Sequence, residues 1–242
     1  MRANIAAYDM WSPSSLEEAL VALDSEPGAN RPFAGGTDLM VLLEAGVLPP
    51  GRFMNIWGLD DLRGIEITDK SITLGALTTY GEIRANEFLG GHYPMLGAAA
   101  KETGAVAIQN RGTLGGNIMN ASPAADTPPA LLVYDAEIEM ASISGSRWIR
   151  YSEFHLGYKS MKAESNELLK AIRIPRKHDG WVSYYRKVGT RKAQAISKVC
   201  FASNTKMAGA AVEDIRIAVG SVAPIPLRCE RTEAVLRGNA LN

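Results

Sequence analysis

Ala34-Gly35-Gly36-Thr37-Asp38-Leu39 and Thr113-Leu114-Gly115-Gly116-Asn117-Ile118, the second running on to Asp126, are the stretches whose reading decides the fold. Each sets a glycine pair among small polar residues and leads from an apolar stretch into a predicted helix. Glycine reaches positive φ and lets a ligand approach the backbone closely. Amides freed in such turns, backed by a helix N-terminus, suit a phosphate. One such loop also reads as an ordinary strand-to-helix turn. Two of them, far apart in sequence, read as a clamp around a diphosphate such as that of FAD. Neither has the G-x-G-x-x-G spacing of a Rossmann site or the lysine of a P-loop, which disfavours both of those folds.

Working outward from the first pair, Arg31–Ala34 is predicted to be a short strand, and residues 39–45 a helix with Gly46 as its C-cap. Upstream, Ser14 or Ser15 caps a helix whose apolar face is Leu16, Ala19, Leu20 and Leu23, ended by Pro27-Gly28. Phe53–Ile56 reads as a strand. Residues 65–67 and 71–75 flank Asp69-Lys70 as a hairpin. Helices are expected over 79–85 and 93–101. After the second pair, Pro128–Val133 reads as a helix with proline in its first turn, and residues 136–140 and 168–174 as strands. The polar, proline-bounded stretch Pro175–Gly180 is taken as a boundary between a domain of residues 1–175 and one of 181–242. Beyond it, Trp181–Arg186, Ile196–Ala202 and Ile215–Gly220 read as strands and Glu230–Arg237 as a helix, together a small α+β unit. Trp181, Tyr184 and Tyr185 are assigned to its core.

The chain has 242 residues, 46% of them hydrophobic, enough for a sizeable core. Its 26 basic and 26 acidic residues balance, which argues against a nucleic-acid partner held by phosphate neutralisation. Cys200 and Cys229 suit a reducing compartment better than a disulfide framework, and they cannot supply the four ligands of an ordinary iron–sulfur cluster. His92, His155 and His178 lack metal-ligand spacing. The N-terminus lacks a secretory h-region, and no apolar run approaches the ~18 residues of a membrane span. A cytoplasmic location is the expectation.

Thr113, Asn117, Asn120, Ser122 and Asp126 make the second loop dense in small polar side chains. A plain loop can look like this, but the density favours a ligand-lining role. Thr113 can donate to a phosphate oxygen, Asn117 can bond a phosphate or a flavin edge, and Asp126 can accept from a ribose or ribityl hydroxyl. Asp38 would repel an anion and is expected to cap the helix after it or to point away. Arg186, Lys187, Arg191, Lys192, Lys198 and Lys206 fall in a stretch without acids. They form a solvated basic face, unless one of them sits beside an anionic cofactor. No nucleophile–base pattern stands out, so a cofactor would carry any chemistry.

These motifs, with Lys187-Val188-Gly189-Thr190-Arg191-Lys192-Ala193-Gln194-Ala195-Ile196-Ser197-Lys198 and Ala218-Val219-Gly220-Ser221-Val222-Ala223-Pro224-Ile225-Pro226-Leu227-Arg228, stand in one order along essentially the whole chain. In this the chain resembles the FAD-binding medium subunit of the molybdenum hydroxylases, the family of xanthine dehydrogenase and carbon monoxide dehydrogenase. The resemblance implies a two-lobed α+β FAD-binding domain of the vanillyl-alcohol-oxidase (PCMH) type, followed by a small α+β C-terminal domain. It implies flavin contacts at Phe33, Ala34, Gly35, Gly36, Thr37, Asp38, Leu39 and Met40. Further contacts are implied at Thr103, at Thr113, Leu114, Gly115, Gly116 and Asn117, at Asp126, at Leu169 near the isoalloxazine, and at Lys187. No catalytic side chain and no metal ligand is expected on this chain.

By the same resemblance, a partner small subunit carries iron–sulfur clusters and a large subunit molybdopterin, in a heterotrimer or its dimer. The flavin passes electrons to NAD or another acceptor. A self-contained FAD oxidoreductase of the same fold class is the alternative, and a scaffold module without FAD a third reading. Relatives continue past the equivalent of Asn242 through further helices. The C-terminal domain is therefore expected to be shortened, with the apolar face carrying Ile215, Ile217, Val219 and Val222 uncovered or covered by a partner.

Overall fold

The computed structural model describes residues 5–191 and 194–240; Lys192 of the basic stretch lies outside them. Strands β1 (Tyr8–Trp11), β2 (Asn30–Phe33) and β3 (Gly51–Asn55) form a parallel sheet in the order β1-β3-β2. Helix α1 (Leu16–Ser25) connects the first two strands. Ser15 caps it by accepting from the Glu18 amide, and Ala19, Leu20 and Leu23 are its buried face, as expected. Helix α2 (Leu39–Ala45) follows the first glycine pair and ends on left-handed Gly46.

The second lobe is built on an antiparallel five-stranded sheet. Hairpin β4 (Ile65–Ile67) and β5 (Ser71–Gly75) leads into helices α3 (Tyr80–Ala85), α4 (Glu87–His92), α5 (Pro94–Glu102), α6 (Val106–Gln109), α7 (Leu114–Met119) and α8 (Pro128–Val133). Hairpin β6 (Glu137–Ser142) and β7 (Gly145–Arg150) comes next. It is followed by the short hairpin β8 (His155–Gly157) and β9 (Ser160–Met161), and then by β10 (Leu168–Pro175). The sheet order β4-β5-β10-β6-β7 places β10 in the centre, where it buries Leu169, Ile172 and Ile174 against α3, α5, α7 and α8. Leu168 and Ala141 turn to the other side and join the core of the first lobe with Leu20, Met54 and Leu62.

Strands β11 (Val182–Gly189), β12 (Ser197–Ala208), β13 (Ala211–Gly220) and β14 (Leu227–Arg228) form an antiparallel C-terminal sheet, backed by α9 (Glu230–Leu236). Two expectations need correction here. Ile215 and Ile217 are buried, in a small core with Val212 that Leu236 of α9 packs against. Val222 does stay outside, at 53% exposed, and alternate residues on β11, Val182, Tyr184 and Val188, are exposed as well. Tyr184, assigned to the core from its residue type, is 51% exposed, because strand alternation sends only Tyr185 inward. The two-residue strand β14 was not foreseen, being too short for any periodicity to mark. Among the described residues, no helix is long and apolar enough to cross a membrane.

Candidate cofactor site

The two glycine pairs do different jobs. Gly35-Gly36 is a true turn, with Gly36 at φ +74°. Its residue types follow from packing as much as from torsion. A Cβ on Gly35 would stand 1.8 Å from the Arg111 carbonyl oxygen, and one on Gly36 would stand 2.5 Å from Phe33 Cζ. Among the described residues, none accepts a hydrogen bond from the amides of Gly35, Gly36, Thr37, Asp38 or Leu39. A run of unpaired amides at a turn is an anion-binding nest.

Gly115-Gly116, by contrast, lies inside the first turn of α7, and its amides are already used. Leu114 N donates to Thr78 O at 2.9 Å and Gly115 N to Ala76 O at 2.9 Å. Gly116 N donates to Thr113 Oγ1 at 3.1 Å, which makes Thr113 the N-cap. The expectation of two equivalent amide loops is therefore corrected. Gly115 is small because a Cβ there would meet Ala76 at 2.7 Å. What this loop offers a ligand is side chains. The Thr113 hydroxyl accepts from Gly116 N and keeps its own proton to donate. Asn117 Oδ1 accepts from Thr127 Oγ1 at 2.5 Å, which leaves Asn117 Nδ2 as a donor.

Asp38 occupies the N-cap position of α2 but makes no side-chain cap. Its backbone there is helical, not the extended form that aims a cap side chain at the first turn. Its carboxylate turns to Asn120 Nδ2, 3.3 Å away.

The loops enclose a cleft of ≈ 370 Å³ lined by Ala34 to Leu39, Tyr80, Thr103, Ile108, Thr113, Gly116, Asn117 and Met119. It shares Pro32, Ala34, Thr113, Gly116 and Met119 with a second cleft of ≈ 360 Å³, which continues to Leu23, Ile56, Leu77, Gly115, Leu168 and Leu169. Together they form an elongated site astride the glycine loops, in the size range of a cofactor pocket. Leu169 stands in the second cleft, apart from Thr103. Met40 lines an outer groove with Val41 and Ile108. Phe33 lies beneath Gly36, edge-on to Phe53, and Leu114 is fully buried. Tyr80, Ile108 and Met119 were not read from sequence as lining residues. Helical periodicity marks an apolar face but does not say which residues on it meet a cavity.

Asp126 and Lys187 lie one layer behind Thr103. Lys187 Nζ, on β11, stands 2.8 Å from Asp126 Oδ2 and 3.0 Å from the Glu102 carbonyl oxygen. Ser197 Oγ donates to Asp126 Oδ1 at 2.6 Å, and Tyr185 OH donates to the Asp126 carbonyl at 3.0 Å. Thr103 Oγ1 sits 2.8 Å from Ala99 O and 3.4 Å from Asp126 Oδ2. Lys187 is thus removed from the solvated basic face. Inward alternation on β11 buries it with Tyr185, while Arg186 stays outside. Beside Tyr185, burial pushes the Cys200 thiol up to about 11, so it stays protonated and inert.

The family described as FAD binding domain in molybdopterin dehydrogenase matches residues 6–177, and CO dehydrogenase flavoprotein C-terminal domain matches residues 183–242. The glyceraldehyde dehydrogenase medium chain of Sulfolobus acidocaldarius is 34% identical over 228 residues, 94% of this chain and 80% of the relative. The xanthine dehydrogenase FAD-binding subunit of Escherichia coli O157:H7 is 32% identical over 95% of this chain and 79% of its own length. Among solved structures, a carbon monoxide dehydrogenase from Hydrogenophaga pseudoflava superposes with a TM-score of 0.93 at 28% identity, covering 97% of this chain and 82% of that one.

Proposed function

From the premise that the chain belongs to the FAD-binding flavoprotein family of the molybdopterin dehydrogenases, we propose that it is the FAD-holding, electron-transferring subunit of a molybdenum hydroxylase. It would work in the cytoplasm beside an iron–sulfur subunit and a molybdopterin subunit, and pass electrons on to NAD or another acceptor. The names of the relatives, medium chain and FAD-binding subunit, mark each as one chain of several. The observation that carries the reading is the nest of unpaired amides from Gly35 to Leu39 facing Thr113 and Asn117 across one cleft.

In this reading the first loop holds the diphosphate, with Thr113 and Asn117 as the facing donors. FAD, when bound, supplies the carrier that takes one or two electrons. The apolar second cleft, with Leu168, Leu169, Ile56 and Leu77, takes the adenine end. This differs from what the resemblance implies, which is Leu169 near the isoalloxazine. The flavin end lies toward Thr103, with Lys187 and Asp126 behind it. Residues 1–175 and 181–242 act as the two units of the site, the second bracing the first through Asp126.

The test is direct. The purified chain, incubated with FAD and desalted, should retain flavin absorbance, and the released cofactor should identify as FAD. In a complex with its cysteine-rich and molybdopterin partners, the flavin should be reduced by the hydroxylase substrate; the chain alone should not be. A chain that retains no flavin after reconstitution, alone and in the complex, would sink the proposal.

A further inference from the structure

Of the six buried or half-buried tyrosines among the described residues, four place their hydroxyls against a protein partner. Tyr8 OH donates to Leu48 O at 2.7 Å, Tyr185 OH to Asp126 O at 3.0 Å, and Tyr134 OH accepts from Met95 N at 3.3 Å. Buried phenols ordinarily find such partners, because an unpaired hydroxyl forfeits its hydration. Two depart from this. The Tyr151 hydroxyl is sealed in the interior with no partner. Tyr80, 3% exposed, lines the cleft, and among the described residues its hydroxyl makes no hydrogen bond.

Tyr80 is also held firmly in place. It is the first residue of α3, directly after Thr79, whose capping box with Glu82 is complete: Thr79 N donates to Glu82 Oε2 at 2.7 Å and Glu82 N to Thr79 Oγ1 at 3.1 Å. Its own amide donates to Gly112 O at 3.1 Å. Its ring lies so close to Gly112 that a Cβ there would meet Cε2 at 2.8 Å. Gly112 directly precedes the Thr113 cap, so the ring is locked to the base of the second glycine loop. Burial, with the Asp126 carboxylate nearby, raises the phenol above its ordinary range. It is a protonated donor at neutral pH.

We propose that the Tyr80 hydroxyl donates a hydrogen bond to an acceptor oxygen of bound FAD, and that this residue, which neither glycine motif contains, is a binding residue of the cofactor site. The inference rests on the FAD reading of the cleft. It explains why a fixed, buried phenol ends at the cavity wall without a partner in the chain: its partner is the ligand.

The test is Tyr80→Phe, which removes only the hydroxyl, with Tyr151→Phe as the control for a buried phenol that does not reach the cleft. FAD dissociation constants are read from flavin fluorescence, and urea midpoints are taken on the FAD-free proteins. Y80F should bind FAD roughly 3- to 10-fold more weakly than wild type, with an unchanged FAD-free midpoint. Y151F should bind FAD as wild type does. Wild-type affinity in Y80F would overturn the inference and leave the FAD reading standing. Weaker binding together with a lowered FAD-free midpoint would also overturn it, since the hydroxyl would then serve the fold. A wild-type chain that binds no FAD would remove both.

Discussion

Lys187 Nζ on β11 meets Asp126 Oδ2, on the loop between α7 and α8, at 2.8 Å, and the two side chains are only 7% and 9% exposed. Because α7 carries the second glycine pair, this ion pair joins the C-terminal sheet directly to the frame of the cofactor cleft. Ser197 and Tyr185 close on the same residue from β12 and β11, and Ser221 N donates to Pro123 O at 2.7 Å on the same loop. The C-terminal sheet therefore grips the segment from Pro123 to Asp126 at several points.

Breaking one side of this pair strands a buried charge. Lys187→Ala should destabilise the FAD-free protein by about 3–5 kcal/mol, a fall in melting temperature on the order of 10 °C. The double variant D126N/K187M should recover part of that loss, because neither charge is then left alone. Calorimetry on the two variants decides; a double variant that melts below the single one would show that the losses add and that the pair is not coupled.

In the proposed placement of FAD, the same pair would present little net charge to the ring. Lys187→Ala leaves the carboxylate and should lower the flavin potential; Asp126→Asn leaves the ammonium and should raise it. Spectroelectrochemical titration reads both. Shifts of the same sign in the two variants would place the pair outside the electrostatic reach of the flavin.

The glycines should separate into fold and site. Gly35→Ala drives a methyl into the Arg111 carbonyl, so it should lower the melting point even without FAD. Gly36 is likewise pinned by the Phe33 ring. In Gly116→Ala the added carbon meets only Thr113 Oγ1, at 2.8 Å. That disturbs one cap, worth about 1 kcal/mol, at a position lining both clefts. G116A should lose FAD affinity with a fall in FAD-free melting point of only a few degrees, whereas G35A should lose both together. Melting curves and FAD titrations on the two proteins check this.

Acid should weaken the fold through His178. This imidazole is 5% exposed, with no hydrogen bond at either ring nitrogen, and burial chiefly lowers it from the usual 6.5 to about 4, against the Asp135 carboxylate 3.8 Å away and with Lys177, Arg216 and Arg228 assisting. A depressed folded value means that the unfolded chain takes up the proton first. The stability it contributes is full above pH 6.5 and is lost as pH falls toward about 4, in total roughly 3 kcal/mol. His155, also lowered by burial, acts in the same direction. Urea midpoints between pH 7 and pH 4.5 should fall, and fall less in H178F, whose ring sits among Tyr134 and Trp181. Parallel pH profiles would exclude His178 as a source of the slope.

Helix α9 should depend on one carboxylate. Glu233, 1% exposed, accepts from Ile217 N at 2.7 Å and pairs with Arg228 and Arg237. Glu233→Ala orphans the buried Ile217 amide and takes one carboxylate partner from Arg228 and Arg237, which keep Asp135 and Asp214. We expect a loss of about 3 kcal/mol and early proteolysis near α9. Wild-type resistance to limited proteolysis would contradict this.

Most elements were legible because their signals are local. The cap at Ser15, the left-handed Gly46, the turn at Asp69-Lys70 and the alternation of β6 each involve residues within one turn or one strand. Elements without such a signal were missed. Among them are β1, α4, α6 of four residues, the short strands β8, β9 and β14, and α7, whose glycines read as loop although Thr113 caps them into a helix. β7 was passed over because its outward face is polar.

The sequence by itself determined that two glycine-bearing segments would turn beside helices, that a polar break would follow Ile174, and that a second α+β unit would come after it. These depend on torsional preference and periodicity, which a short window contains. Only the tertiary structure decided which glycine loop keeps its amides free, since Ala76 and Thr78 take those of Leu114 and Gly115 from another part of the chain. It alone decided that Leu169 opens on the second cleft and that Tyr80 ends at the first. It also decided that Lys187 is a buried partner of Asp126 and not a surface cation. Hydrogen-bond partners, burial and charge pairing are properties of segments brought together across the fold, and no local pattern encodes who meets whom.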